Sequence, residues 1–364
     1  MILMALDHTR DFFGSAANPV NIATTTPALF FTRWITHFCA PTFFLLMGTG
    51  AYLSLARKST GELSRFLFTR GVWLIFLELV VVRGFGLQFN FDFRASMLLI
   101  LWALGCAMIT LAVLVWLPMP AIAAIGLLMI AGHNAFDSVQ SANPLWVILH
   151  SPNILLEGRL FDAYPLIPWV AVTAVGFALG PIYRWEPARR RAFLLYAGIA
   201  ATLAFVALRA ANIYGNPFRW STQGSAIFTV LSFLNTNKQP PSLLYLLMTL
   251  GPVLLFLRAI DGRTPAFLRP ALVFGKVPMF YFLLHLFLIH ALAVIVCGVR
   301  YGAVHWMFES PDLANFPFTR PPDWGYSLPV VYAVWVFVVA SLYPLCRWYA
   351  QVKRQSKAWW LSYL

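Results

Sequence analysis

Long apolar runs broken by short polar punctuation set the pattern of this chain. Stretches free of Asp, Glu, Lys and Arg run from Trp34 to Ala56, Ala95 to Phe136, Ala163 to Tyr183, Ala192 to Leu208, Gln239 to Leu257, Val277 to Val299 and Trp324 to Cys346. A helix needs roughly 20 apolar residues to cross a bilayer core, so these runs read as spans. The second holds two of them, because Leu117-Pro118-Met119-Pro120 interrupts it and proline is a poor helix interior. A further span over about 71–86 contains Glu78 and ends near Arg83. The pattern predicts an all-α polytopic transmembrane helix bundle of about nine full spans. An N-terminal stub of a first span precedes them, and residues 1–364 form a single domain. Only six residues stand before Asp7, which predicts a first helix shortened at its start.

Composition agrees, with 60% hydrophobic and 11% charged residues in 364, against about a quarter charged in a soluble domain. The net charge of +13 raises nucleic acid as a partner, but its distribution excludes that reading. Sixteen of the 26 Lys and Arg sit in four clusters between spans: Arg57/Lys58/Arg65/Arg70, Arg184/Arg189/Arg190/Arg191, Arg258/Arg263/Arg269/Lys276 and Arg347/Lys353/Arg354/Lys357. Alternating the spans brings all four to one side, as the positive-inside rule expects of the cytoplasmic face. The expected setting is therefore an inner (plasma) membrane with the C-terminus in the cytoplasm and the Asp7 segment outside. Loops at about 87–95, 134–163, 209–239 and 300–324 fall on that outer side, and those near 30 residues should fold back over the helices, since irregular backbone at membrane depth survives only against protein or water. Cys39, Cys106, Cys297 and Cys346 lie in or beside apolar spans without CxxC spacing, so neither a disulfide framework nor a metal is expected.

Four constellations carry candidate chemistry. In Asp7-His8-Thr9-Arg10-Asp11, helical spacing puts Asp7 and Asp11 on one face and His8 over Asp11, so a carboxylate can orient an imidazole as a general base. The bland alternative is a charged cap at a helix end. In Arg33-Trp34-Ile35-Thr36-His37, Arg33 and His37 are one turn apart. The small residues Gly48-Thr49-Gly50-Ala51 that follow suit close helix packing better than a ligand. Tyr281 and His285 share a face at i,i+4, whereas His290 points elsewhere and reads as a core histidine. Asn235, Asn237 and Lys238 lead into a span from the outer side with groups able to bond a sugar or an acyl oxygen. Glu78 is costly within a span unless paired, and a bridge to another helix is the leading account. Arg65, Arg70 and Lys276 are candidates to attract an anionic cofactor, although membrane topology alone already explains them.

The run Met1 to Asp11, the run Arg33 to Gly48, Asn235 to Met248 and Gly275 to His285, with the C-terminal Trp359-Trp360-Leu361-Ser362-Tyr363-Leu364, resemble the bacterial branch of the heparan-alpha-glucosaminide N-acetyltransferase catalytic-domain family. The Asp7-His8 end is also similar to the histidine that closes the first helix of the broader membrane acyltransferase superfamily. The resemblance implies an enzyme that moves an acetyl group from cytoplasmic acetyl-CoA to an extracytoplasmic carbohydrate, with a cell-envelope glycan or glycolipid as acceptor and the lipid bilayer as setting. The residue spacings and the resemblance together give a candidate catalytic set of His8, Asp7, Asp11, His37 and His285, with His8, oriented by Asp7 or Asp11, as base at the outer mouth and His37 or Arg33 on the thioester oxygen. They also give substrate contacts from Arg10, Arg33, Asn235, Asn237, Lys238 and Tyr281. Arg65, Arg70 and Lys276 would meet the CoA phosphates. Where the family's lysosomal member carries its key histidine, this chain has Pro27, which leaves His8 and His37 as rival substitutes. The family also continues upstream of Met1. A transporter or flippase of a sugar-containing substrate is the rival reading, a scaffold for envelope enzymes the third, and the glycines leave a homo-oligomer open.

Overall fold

The computed structural model describes residues 1–15, 17–356, 358 and 361. Lys357 and the C-terminal motif other than Leu361 lie outside the described residues. The helices in chain order are α1 (Ile2–Phe13), α2 (Pro27–Thr36), α3 (Cys39–Ser54), α4 (Thr60–Phe76, extended as a π-helix over Leu77–Leu87), α5 (Ile100–Leu114), α6 (Met119–Gly132), α7 (Pro144–Leu149), α8 (Leu166–Leu179), α9 (Pro187–Ala211), α10 (Ala226–Leu234), α11 (Leu243–Ile260), α12 (Ala271–Lys276), α13 (Pro278–Tyr301) and α14 (Leu328–Gln355). Among the described residues, seven helices are long and apolar enough to cross a membrane: Pro27–Ser54, Met119–Phe136, Leu166–Arg184, Pro187–Ala211, Leu243–Ile260, Pro278–Tyr301 and Leu328–Gln355. The chain is thus a multi-pass membrane protein. The expected nine is not reached because two segments fail for definable reasons. The helix from Thr60 to Leu87 is long but carries Glu62, Arg65, Arg70, Glu78 and Arg83, and α5 has only 15 residues.

Apolar burial drives little association between helices surrounded by lipid, so close approach has to come from small residues. Gly48 on α3 and Gly176 on α8 show this directly. A β-carbon on Gly48 would lie 2.1 Å from the Thr173 carbonyl oxygen, and one on Gly176 would lie 2.2 Å from that of Leu45. Thr49 seals the crossing by donating to the Gly176 carbonyl at 2.9 Å. The packing role expected of the Gly48 run is what the fold uses.

Two apolar cores result. One gathers α1, α4, α13 and α14 around Phe12, Tyr281, Ile289 and Val338. The other gathers α3, α8 and α11 around Phe44, Trp169 and Tyr245, with the Phe44 and Trp169 rings stacked at 4.6 Å. Basic residues collect at one end of the bundle: Arg184 lies over Tyr52, Arg190 pairs with Asp261 at 2.9 Å, and Arg70 and Lys353 act on each other's charge. At the opposite end the loops fold back, as expected. A three-stranded sheet ordered β1 (Ser96–Leu98), β3 (Leu160–Asp162), β2 (Ile154–Leu155) knits two loops together, with β1 parallel and β2 antiparallel to the central strand. Phe318, from another loop, reaches Phe12 and His290.

α1 is short but firmly held. Trp335 donates to the Ile2 carbonyl and Trp324 to that of Phe12, each at 2.9 Å, while Arg320 takes the exposed carbonyls of Asp11 and Gly14 at the helix C-terminus.

Candidate functional site

Successive residues on a helix point about 100° apart. α1 therefore addresses two neighbours with two adjacent side chains. Asp7 turns toward α2, where its carboxylate pairs with Arg33, and it also accepts from Arg10 at 3.0 Å. His8 turns toward α13, where its ring centre lies 5.2 Å from that of His285. The Asp7 link joins one apolar core to the other, and the His8 contact stays within the first.

The His285 site is built by its own helix. Nδ1 lies 3.0 Å from the Tyr281 carbonyl oxygen, an acceptor only, so the proton of a neutral ring sits on Nδ1 and the lone pair on Nε2. Nε2 is buried and has no hydrogen-bond partner among the described residues. Tyr281 stacks on the imidazole at 5.2 Å and 5°, as its i,i+4 spacing foretold, and its hydroxyl is likewise buried without a partner. Phe274 packs edge-on against Tyr281 from the other side. Position matters here. His285 stands about 10 Å, at 1.5 Å per residue, from the Pro278 end of the 24-residue α13. That places His8 and His285 inside the bundle, closer to its basic end than an outer-mouth location for the Asp7 segment would allow.

One expectation for this segment is corrected. Neither Asp7 nor Asp11 is hydrogen-bonded to His8 among the described residues, because guanidinium groups take both carboxylates. Arg10 clasps Asp7 at 3.0 Å and Asp11 at 2.7 Å, and Arg33 holds Asp7 and reaches the Thr36 hydroxyl at 3.3 Å. An arginine fork matches a carboxylate better than an imidazole does. The residues that orient an imidazole here are Tyr281 and Phe282 around His285.

His37 falls in the charged group, not beside His8. Its Nδ1 is buried without a partner, its ring lies 5.4 Å from that of Tyr245, and its carbonyl accepts from the Tyr245 hydroxyl at 2.7 Å. Nothing in the sequence pattern singled out Tyr245. Lys238 completes the group from the loop before α11, its ammonium 5.9 Å above the Tyr164 ring. Burial pushes this ammonium down to about 8; Arg33 adds to the effect, and Asp7 and Asp11 oppose it. Among the described residues it has neither an ion pair nor a hydrogen bond. Asn235 and Asn237, expected beside it as ligand contacts, are spent on the fold. Asn235 donates to the Val20 carbonyl at 2.9 Å and Asn237 to that of Pro240 at 3.0 Å.

The remaining polar candidates sort cleanly. Glu78 accepts from the Leu101 and Trp102 amides at 2.7 and 3.4 Å, so it caps the start of α5, the expected bridge to another helix. Arg83 goes instead to Asp92 at 3.0 Å and to the backbone of Asn90 and Ala95. The His290 nitrogens face the carbonyls of Gly86 and Met307, a core role. The cysteines are free. At the basic end, Lys276, Arg347, Lys353 and Arg354 line a groove of about 460 Å³. Arg70 is electrostatically linked to its Lys353 side, and Arg65 is exposed more than a turn away on α4.

No curated protein and no solved structure matches this sequence. The family profile described as heparan-alpha-glucosaminide N-acetyltransferase, catalytic, matches residues 1–215, a stretch that contains α1, α2 and the Asp7–Arg33 pair. Together with the sequence motifs around Asp7-His8 and Arg33, that match over more than half of the chain shows that it belongs to the heparan-alpha-glucosaminide N-acetyltransferase catalytic family.

Proposed function

We propose that this protein is an inner-membrane acetyltransferase that takes the acetyl group of acetyl-CoA from the cytoplasm and delivers it to an extracytoplasmic carbohydrate, a glycan or glycolipid of the cell envelope. The C-terminus and the four basic clusters face the cytoplasm in this reading. The observation that carries it is the His8 and His285 pair, with one buried nitrogen that nothing in the fold uses. An unsatisfied buried polar atom is destabilising by about 1–3 kcal/mol, so its retention calls for a role.

His285 acts as general base. Nε2 takes the proton of the acceptor amine or hydroxyl as the nitrogen or oxygen attacks the thioester carbonyl, and the C–S bond breaks as the new C–N or C–O bond forms. The proton then passes to the departing thiolate, with His8 beside His285 to relay it. Asp7 and Arg33 are positioning residues, since their pair fixes the rotation of α1 and hence where His8 points. Lys238, which among the described residues has no counter-ion, contacts the acceptor on what this reading makes the carbohydrate side. Lys276, which lines the basic groove, and Arg70, whose charge acts on Lys353 of the same groove, receive the CoA phosphates. Direct transfer agrees with the base role; a ping-pong route would put the acetyl group on His285 Nε2 itself.

The test is acetyl transfer in membranes from labelled acetyl-CoA with His8→Ala and His285→Ala. Undiminished product in both variants would remove this mechanism. Accumulation of a sugar substrate with no covalent change would favour transport instead.

A further inference from the structure

Away from the imidazole pair, at the loop end of α6, three metal-ligating side chains converge. His133 follows the end of α6, Asp137 lies one turn on, and His150 follows α7. One ring nitrogen from each histidine and a carboxylate oxygen of Asp137 come within 4.8 Å of one another. Nothing in the membrane reaction described above uses them.

Each ligand is prepared in a way that an ordinary core histidine is not. His133 is 3% exposed; its ring lies against the Pro241 carbonyl, yet among the described residues neither ring nitrogen makes a well-formed hydrogen bond. His150 is equally buried, and its Nε2 lies 2.8 Å from the His133 carbonyl oxygen, so that nitrogen donates and the lone pair remains on Nδ1. A backbone carbonyl that fixes the tautomer and rotation of a ligating imidazole is the usual outer support of a metal site. Trp146 stacks on the same ring at 4.8 Å and 13°, locking its plane. Asp137 is held by Asn134, whose side-chain amide donates to Oδ2 at 2.9 Å. Around a tetrahedral zinc with bonds of about 2.0–2.1 Å, ligand atoms stand roughly 3.3 Å apart. The ligand atoms here lie within 4.8 Å of one another, so an ion at their centre would draw them together.

We infer that His133, Asp137 and His150 bind a zinc ion that staples the loop end of α6 to the 137–165 loop. Two imidazoles and a carboxylate suit zinc better than hard cations such as magnesium or calcium, and the three ligands leave a fourth position for water. The staple has a mechanical consequence. Asn134 accepts from the Leu243 amide at 2.8 Å, so the metal site also braces the start of α11, directly after the loop that carries Lys238.

The full chain, purified in detergent with a tag free of histidine, stripped with chelator and re-equilibrated with zinc, should retain about one zinc per chain and melt at higher temperature than the stripped protein. Asp137→Asn is the informative variant, because it keeps the shape and the Asn134 contact at a half-buried position. It should weaken zinc binding by at least ~10-fold, as should His150→Ala. Cobalt in place of zinc should give visible absorption bands that change in Asp137→Asn. A wild-type chain that holds no zinc after equilibration overturns the inference. So does zinc retained equally in Asp137→Asn and His150→Ala.

Discussion

The two sides of α1 treat ionisable groups in opposite ways. Toward α2, Asp7, Arg10, Asp11 and Arg33 pair with one another, and the cluster joins one core to the other. Toward α13, His8 meets a histidine whose Nε2 has no partner, inside a single apolar core. Paired charge in a low-dielectric setting is rigid and chemically quiet, whereas a lone pair held in place without a partner is available to a proton. In the mechanism proposed above, neighbouring positions on one short helix divide the work, with Asp7 fixing geometry and His8 with His285 supplying reactivity.

That division is broken most directly at His285. His285→Ala should lower kcat for acetyl transfer by about 10²–10⁴-fold, well beyond what the stability lost with its packing on Tyr281 accounts for. A large loss of stability with catalysis intact would reverse the assignment of the two faces. Asp7→Leu should show the complementary behaviour. Removing one member of this mostly buried pair leaves Arg33 with only the more distant Asp11 and costs at most about 3–5 kcal/mol, read as a fall in melting temperature and yield. Adding Arg33→Met should recover much of that stability, since replacing both partners by apolar groups is often nearly neutral. If the double variant is stable but slow, the pair positions His8; if it is stable and fast, the charged face has no part in the reaction.

Lys238 sharpens the comparison, as a charge in this group that has neither an ion pair nor a hydrogen bond among the described residues. Its ammonium titrates at about 8 and is charged below that pH. With Lys238 as an acceptor contact, KM for the acceptor should rise as pH passes upward through 8, with a smaller change in kcat. Lys238→Arg should flatten that rise, and Lys238→Met should raise KM by roughly 10-fold at pH 7. A KM that is independent of pH in the wild type would take Lys238 out of the site.

Much of this was legible in sequence, and the failures have physical causes. Apolar run length located all seven long spans, because lipid imposes its thickness on helix length. The other two of the nine runs correspond to the short apolar α5 and to a π-helical segment holding Glu78 and Arg83, neither of which reaches the length and apolarity of the seven. Helical spacing found Tyr281 over His285, a contact within one helix. It could not reveal that Arg10 and Arg33 outcompete His8 for the carboxylates, because that competition is decided by the approach of α2 to α1. Asn235 and Asn237 looked available for the same reason: their acceptors, the Val20 and Pro240 carbonyls, depend on loop conformation. The His133, Asp137 and His150 group passed unnoticed because its third member arrives through the fold of the 137–165 loop, without a spacing motif.

The rule that companionship decides the behaviour of a buried carboxylate can be tested at Asp162. Asp7 has two guanidinium partners, whereas Asp162 on β3 accepts only from the Tyr164 amide through Oδ1, at 2.9 Å, and its Oδ2 is buried without a partner. Burial pushes this carboxyl up to about 7, with the Tyr164 amide opposing. The folded value lies above the unfolded one of about 3.9, so the stability associated with the neutral acid is fully present below the unfolded value. It is lost as pH rises toward 7, where the unfolded state releases a proton that the folded state retains, and the loss levels off above 7. Asp162→Asn keeps the acceptor for Tyr164 and removes the titration. Its melting temperature should exceed that of the wild type by more at pH 8 than at pH 5, a difference of at most about 2–3 kcal/mol across that window. An advantage independent of pH would mean that Asp162 has found a partner in solution, and that a missing companion in this fold is not by itself a sign of a poised group.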